Sequence, residues 1–241
     1  VNGKIALVTG ASSGIGAATA RAMAAAGATV VAGARRVDRL EELAATADGE
    51  VFPVELDVAD QQSVREAVAT AVSRFGGLDV VVNNAGVMLS GPIVGADTAE
   101  WDRMVRTNLL GTLYVTHAAL PHLLARKGTV VQISSTSGRV ASAMGGVYAA
   151  TKFGVNAFTE SLRQEVTEQG VRVVTIEPGM VDTELADHIG DETIRDMAKK
   201  MADSMRTLRA EDVAAAVVYA VGQPDHVAVN EILLRPTDQV R

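Results

Sequence analysis

Tyr148 and Lys152 stand four residues apart in VYAATKFG, a stretch of small residues with helical patterning. At that spacing a phenol and an ammonium share one helical face. A free tyrosine titrates near pH ~10, and a close cation favours the phenolate and lowers that value. The pair then forms an acid–base group usable near neutral pH. A plainer arrangement fits the same residues: a buried ring beneath a lysine that snorkels to water. Ser135 favours the chemical reading. It ends an apolar strand-like run in VVQISSTSG, where its hydroxyl can donate to a carbonyl oxygen and steady developing charge. Strand alternation points Ser134 the other way, toward backbone. Asn108, in RTNLLG, sets an amide inside an apolar helical stretch. Buried amides need partners. This one either satisfies helix carbonyls or holds a water that links Lys152 to solvent, and the water role is the expectation.

A proton donor needs a redox partner, and the start of the chain offers one. TGASSGIG (9–16) follows an apolar run and opens an alanine-rich helix. Gly10 permits a tight turn, while Gly14 and Gly16 permit close approach of backbone to phosphate and of helix to sheet. The helix N-terminus then faces a pyrophosphate. Ser12, Ser13 and Ile15 are assigned to the cofactor with the same loop. The acidic residue that grips a ribose diol at the end of a second strand is absent; Ala34, Arg35 and Arg36 stand there instead. Two guanidinium groups suit a ribose 2′-phosphate, so NADP(H) is the expected cofactor. Their plainer role is to solvate the start of the next helix. In ELDVAD, Asp57 is placed to accept from an adenine amino group with Val58 against the ring, or else to cap a helix starting near Asp60. Asn84, Ala85 and Gly86 in NNAG are small enough for a cofactor to pass close to the backbone, with Asn84 holding the sheet edge rather than the ligand.

These groups need elements to position them. Apolar runs at 4–9, 29–33, 51–56, 78–83, 129–134, 171–176 and 229–234 read as strands buried on both faces. Helical patterns lie between them at about 14–26, 38–47, 60–75, 98–126, 149–168 and 211–221, with a bend expected inside the fourth. This alternation predicts an α/β fold, doubly wound and Rossmann-type, with a seven-stranded, mostly parallel sheet in the order 3-2-1-4-5-6-7. One domain is expected over 1–241. Residues 185–208, rich in methionine and charge, break the rhythm beyond strand six and are expected to form a substrate lid. Their plainer role is a solvated excursion packed on the body.

Composition narrows the function classes. The 241 residues are 48% hydrophobic but only 3% aromatic, so aliphatic side chains must build the core. A formal charge of −7 argues against nucleic acid or anionic membrane as partner. The chain has no cysteine, which excludes disulfides and thiolate metal sites, and its four histidines lack ligand spacing. No metal is expected. No apolar run approaches about 18 residues, and VNGKIALVTG enters a strand at once without the look of a cleavable leader. A cytoplasmic location is the expectation.

The chain resembles the short-chain dehydrogenase/reductase family over nearly its whole length, through TGASSGIG, NNAG, Asn108, Ser135, YAATK at 148–152 and PG at 178–179. The resemblance implies Tyr148 as catalytic acid–base, Lys152 on the nicotinamide ribose, Ser135 on the substrate and Asn108 in a proton relay. It places Pro178, Gly179, Val181 and Thr183 near the nicotinamide amide, and Arg35 at the position typical of NADP-preferring members. Thr151 stands where serine is more usual, a mild departure that keeps the hydroxyl. The expected reaction is reversible reduction of an aldehyde or ketone, with Ser137, Met144 and Gly145 as pocket walls and Met88 close by. Oxidation as the main direction and a non-catalytic dinucleotide sensor are the alternatives. Family members pair through helices corresponding to 112–126 and 149–168, so a homotetramer is expected, with a dimer as runner-up.

Overall fold

The computed structural model describes residues 1–240. The apolar runs form β1 (Ile5–Thr9), β2 (Thr29–Ala34), β3 (Val51–Glu55), β4 (Val80–Asn83), β5 (Thr129–Ile133), β6 (Arg172–Pro178) and β7 (Glu231–Leu234). They make one seven-stranded sheet in the order β3-β2-β1-β4-β5-β6-β7, with every neighbouring pair parallel. The expected order is therefore the observed one. Helices α1 (Gly14–Ala25), α2 (Val37–Thr46) and α3 (Gln61–Phe75) follow the first three strands.

Side-chain alternation along the strands divides the core in two. Val8, Val82, Val131 and Val174 face a cluster that contains Met23 of α1 and Leu40 of α2. Their neighbours Leu7, Val81, Val130 and Val173 face the opposite cluster, with Val64 and Val68 of α3. Burial on both faces explains why these strands read as continuous apolar runs rather than alternating ones.

The expected 98–126 helix is three pieces. Helix α4 (Thr98–Met104) runs into a π-helical turn, Val105–Leu110, and then into α5 (Gly111–Arg126). Asn108 lies in that wide turn, a feature common beside functional sites. Helix α6 (Gly146–Val166) begins before residue 149, which brings Tyr148 into its first turn.

Beyond β6 the chain leaves the body and returns to the same place. Asp182 N donates to Leu208 O at 2.8 Å and Leu208 N to Met180 O at 3.0 Å, closing the neck of the excursion. Between them lie a 3₁₀ turn, Glu184–His188, and α7 (Glu192–Asp203), none of whose residues is buried. Helix α8 (Ala210–Val221) then packs against α1. Among the described residues no helix is long and apolar enough to cross a membrane.

Candidate active site at the carboxyl edge of the sheet

The loop between β1 and α1 is packed too closely for side chains. A Cβ on Gly10, whose φ is 66°, would lie 2.8 Å from the Ala85 Cα. One on Gly16 would run into the Gly10 carbonyl and sit 2.5 Å from Asn84 Nδ2. The NNAG turn holds this arrangement: Asn84 Nδ2 donates to Thr9 O at 3.0 Å, and Thr9 Oγ1 accepts from the Asn84 and Ala85 amides, each at 3.0 Å. Asn84 is thus spent on backbone, as its sequence context suggested. Gly86 lies open except toward Asn108, whose Oδ1 would be 3.3 Å from an added Cβ. At the start of α1, Ser13 makes no side-chain capping bond and no acidic residue occupies the first turn. Orphan N–H groups without a carboxylate nearby fit a pyrophosphate. Ile15, half-buried, packs on the first core cluster.

At the end of β2 the two arginines part company. Arg36 donates through Nη2 to Ser12 Oγ at 3.0 Å and Ser13 Oγ at 2.8 Å, and through Nη1 to Glu184 at 3.2 Å. Arg35 is exposed and makes no hydrogen bond or ion pair among the described residues. Arg39, one turn along α2, joins the cluster by gripping Glu184 at 2.8 Å. The sequence reading missed Arg39 and Glu184. The i, i+3 spacing of Arg36 and Arg39 was the available signal for the first; only folding brings the second there. At the end of β3, Asp60 and not Asp57 caps α3, accepting from Gln62 N at 2.9 Å. Asp57 Oδ1 instead accepts from Ala59 N at 3.0 Å in its own turn. Val58 is 6% exposed and packs over Gly111, where an added Cβ would lie 2.7 Å away. Its side chain serves the core.

The chemical groups lie beyond β5. Ser135 Oγ accepts from Ser137 N at 3.0 Å, and its side chain lies beside the Tyr148 phenol, whose pKa it draws down. The tyrosine is 8% exposed, among Val87, Leu89 and Met104. That burial pushes the phenol up to about 12, with the bond to Ser135 pulling the other way. Lys152, 6% exposed, reaches past the ring to β5, where Nζ donates to Ile133 O at 2.9 Å. Its nitrogen is 5.7 Å from the tyrosine ring centroid. Burial draws the ammonium down to about 8. Here the structure departs from the expectation drawn from spacing. Burial outweighs the shared face: desolvation moves each group toward its neutral form. The ammonium makes one hydrogen bond among the described residues, although it carries three donors.

Asn108 behaves differently from the water-holding group expected of its side chain. Its Oδ1 accepts from Val87 N and its Nδ2 donates to Val87 O, both at 2.8 Å, with Thr151 Oγ1 at 3.3 Å. The amide clamps the strand-four loop to α6, and Thr151 in turn donates to Tyr148 O at 2.7 Å. Ser134 turns toward backbone, 3.5 Å from Lys152 O. Ser137 is half-buried beside Ser135. Met144 adopts φ 67° and accepts from Gly91 N at 2.8 Å, and Gly145 starts α6. At the end of β6, Gly179 N donates to Leu234 O at 2.8 Å beyond Pro178. Val181 lies at the neck of the excursion, bridged to Leu208. The Thr183 methyl faces Gly14, 3.2 Å from where a Cβ would be.

An ion pair with one buried partner, behind the site, also escaped the sequence reading. Glu177, fully buried, accepts from Arg139 Nε at 2.6 Å and from Asn156 at 2.9 Å, joining the Ser135 loop to the residue before Pro178. The arginine is held well above its usual range by Glu177 and Glu231. Among the described residues no cluster of His, Cys, Asp or Glu has the arrangement to hold a metal.

The model of the short chain dehydrogenase family matches residues 4–194. Glycine betaine reductase of Emericella nidulans is 43% identical over 245 aligned residues, covering 99% of this chain but 19% of that much longer protein. Serine dehydrogenase complexed with NADP+ superposes with a TM-score of 0.92 at 35% identity, covering 98% of this chain and 96% of the other. An alcohol dehydrogenase from the archaeon Thermococcus sibiricus, complexed with 5-hydroxy-NADP, gives 0.87 at 33% identity, covering 99% and 98%.

Proposed function

The chain belongs to the short-chain dehydrogenase family, and we propose that it is an NADP(H)-dependent oxidoreductase that reduces an aldehyde or ketone to an alcohol, reversibly. One observation carries the reading: the Ser135 hydroxyl meets the buried Tyr148 phenol, beside a buried ammonium with donors to spare, at the same sheet edge as an uncapped glycine-rich loop. The cofactor fits that loop. The start of α1 would hold its pyrophosphate, Arg36 with Ser12 and Ser13 would hold a 2′-phosphate, and Val181 and Thr183 would line the nicotinamide end. The neighbours solved with NADP+ and 5-hydroxy-NADP support the same choice.

A nicotinamide held there would supply the hydride that the carbonyl carbon takes up. Ser135 and Tyr148 donate hydrogen bonds to the carbonyl oxygen, and Tyr148 gives up its proton as the alcohol forms. A phenol pushed up to about 12 leaves a costly phenolate, which the Lys152 ammonium stabilises electrostatically. The two Lys152 donors not engaged with Ile133 hold ribose hydroxyls. Reprotonation brings a proton in from solvent, through water near the π-helical turn, to Lys152 and on to Tyr148. There the Asn108 side chain is occupied, and its main-chain carbonyl, which accepts from Thr112 Oγ1 at 2.8 Å, is the acceptor proposed for that water.

In this reading residues 185–208 are the substrate lid. Met197 and Met201 on exposed α7, 56% and 58% accessible, offer apolar surface to a moderately hydrophobic substrate. Exposed Phe153 on α6, with Tyr219 on α8 and Leu233 on β7, supports assembly into a homotetramer, or a dimer, through those faces. A cytoplasmic location belongs to the same reading. The stretches TNLLGTLYVTHAALPHLL, ATKFGVNAFTESLRQEVTEQGVRVVTIEPG and NEILLRPTDQV resemble clavulanic acid dehydrogenase, an aldehyde reductase. None of the relatives named above is that enzyme, so the likeness supports a subgroup and not a substrate. Two neighbours named as dehydrogenases favour alcohol oxidation as the second reading.

The test is NADPH absorbance with a panel of aldehydes and ketones. Turnover on members of the panel, abolished in Tyr148→Phe while NADPH binding survives, is the expected result. Full turnover in that variant refutes the assignment, and binding without turnover on any substrate points to a sensor.

A further inference from the structure

Glu184 has no part in hydride transfer, yet it sits at the cofactor end of the cleft. The 3₁₀ turn that follows β6 carries it across to α2, where its carboxylate accepts from Arg36 Nη1 at 3.2 Å and from Arg39 Nη1 at 2.8 and 2.9 Å. The same Arg36 guanidinium is forked onto Ser12 and Ser13, at the mouth of the glycine-rich loop. Arg39 first, then Arg36, hold the carboxyl below its usual range, so it is ionised wherever the protein is folded near neutral pH. All three side chains are about two-fifths exposed. Ion pairs of that kind are weak, and a phosphate brings more charge and more acceptor oxygens to the same donors.

NADP(H) and NAD(H) differ only by the 2′-phosphate. An anion that occupies the arginines therefore opposes one cofactor and leaves the other alone. We infer that Glu184 is a cofactor-specificity residue whose carboxylate holds Arg36 and Arg39 as an internal counter-ion, which a 2′-phosphate must displace. This rests on the NADP(H) reading given above. It assigns to a residue of the lid root, far along the chain from the arginines, a share in setting how strongly the protein prefers the phosphorylated cofactor. Glutamine keeps the size and hydrogen bonding of this side chain while removing its charge, so Glu184→Gln isolates the electrostatic competition.

Isothermal titration of NADP+ and NAD+ into wild type, Glu184→Gln and Arg36→Ala reads this directly, without turnover. In Glu184→Gln the NADP+ dissociation constant is expected to fall roughly three- to tenfold, the scale of releasing one or two exposed ion pairs, while NAD+ stays within about twofold. The NAD+ titration also certifies that the variant is folded. Unchanged or weaker NADP+ binding in Glu184→Gln overturns the inference, because the carboxylate would then be orienting the arginines rather than competing for them. If wild type binds NAD+ as well as NADP+, the NADP(H) reading fails and takes the inference with it. If wild type prefers NADP+, Arg36→Ala loses that preference and Glu184→Gln does not move it, only the inference falls.

Discussion

Replacing Lys152 by methionine separates the cost of this residue to the fold from its value to the chemistry. The ammonium is 6% exposed with one hydrogen bond, and burial draws it from 10.5 down to about 8. The unfolded chain therefore binds the proton more tightly than the folded one. Below pH 8 the penalty is fully present, and it fades as pH rises toward 10.5. At about 1.4 kcal/mol per unit, the gap amounts to roughly 3 kcal/mol at pH ~7 and roughly 1 kcal/mol at pH ~9.5. Methionine matches the aliphatic stem and carries no charge. Its stability advantage over wild type should accordingly shrink by about 2 kcal/mol between those two pH values. Loss of the Ile133 bond lowers the advantage itself by about 1 kcal/mol, but has little effect on its pH dependence. Urea unfolding of both proteins at the two pH values, without cofactor, measures the difference. A constant difference would mean that the ammonium is solvated in the fold, and the account of a buried cation waiting for ribose hydroxyls would fail. Turnover of the same variant should be lost.

Three further outcomes follow from the geometry. Ser135→Ala removes one of two donors to the substrate oxygen and should lower kcat by about 10- to 1,000-fold with the NADPH dissociation constant within about twofold; a change confined to cofactor binding would move Ser135 out of the chemistry. Asn108→Ala orphans the Val87 N–H and C=O together and should cost about 1–3 kcal/mol in urea unfolding, so an unaltered midpoint would deny the clamp. In Gly16→Ala the new methyl meets the Gly10 carbonyl and Asn84, and calorimetry should show NADPH binding weakened by about tenfold or more, on the order of the 1.4 kcal/mol that a modest backbone shift costs. Wild-type affinity there would mean that the loop tolerates a side chain after all.

Much of this site was legible because its signals are local. Gly10, Gly14 and Gly16 sit between a buried strand and a helix, and a short turn can only be built one way there. Tyr148 and Lys152 needed only helical periodicity to share a face. Misreadings arose where a local pattern had two solutions or where the partner was distant. Asp57 and Asp60 both look like caps, and only the path of the chain out of β3 decided for Asp60. Val58 looked available for a ring until Gly111 of α5 arrived beneath it. Asn108 was visible as a buried amide, but its partners on Val87 belong to another element.

The sequence by itself determined the sheet and pointed to the groups proposed to react, since apolar period, helical spacing and glycine placement are properties of short windows. Tertiary structure decided the electrostatics. Desolvation depends on everything packed around a group, so no spacing could say that burial would push Tyr148 up and Lys152 down at once. Nor could it say that a carboxylate at 184 would settle between guanidinium groups at 36 and 39. Those charges lie far apart along the chain, and only the 3₁₀ turn that follows β6 carries the carboxylate across to α2.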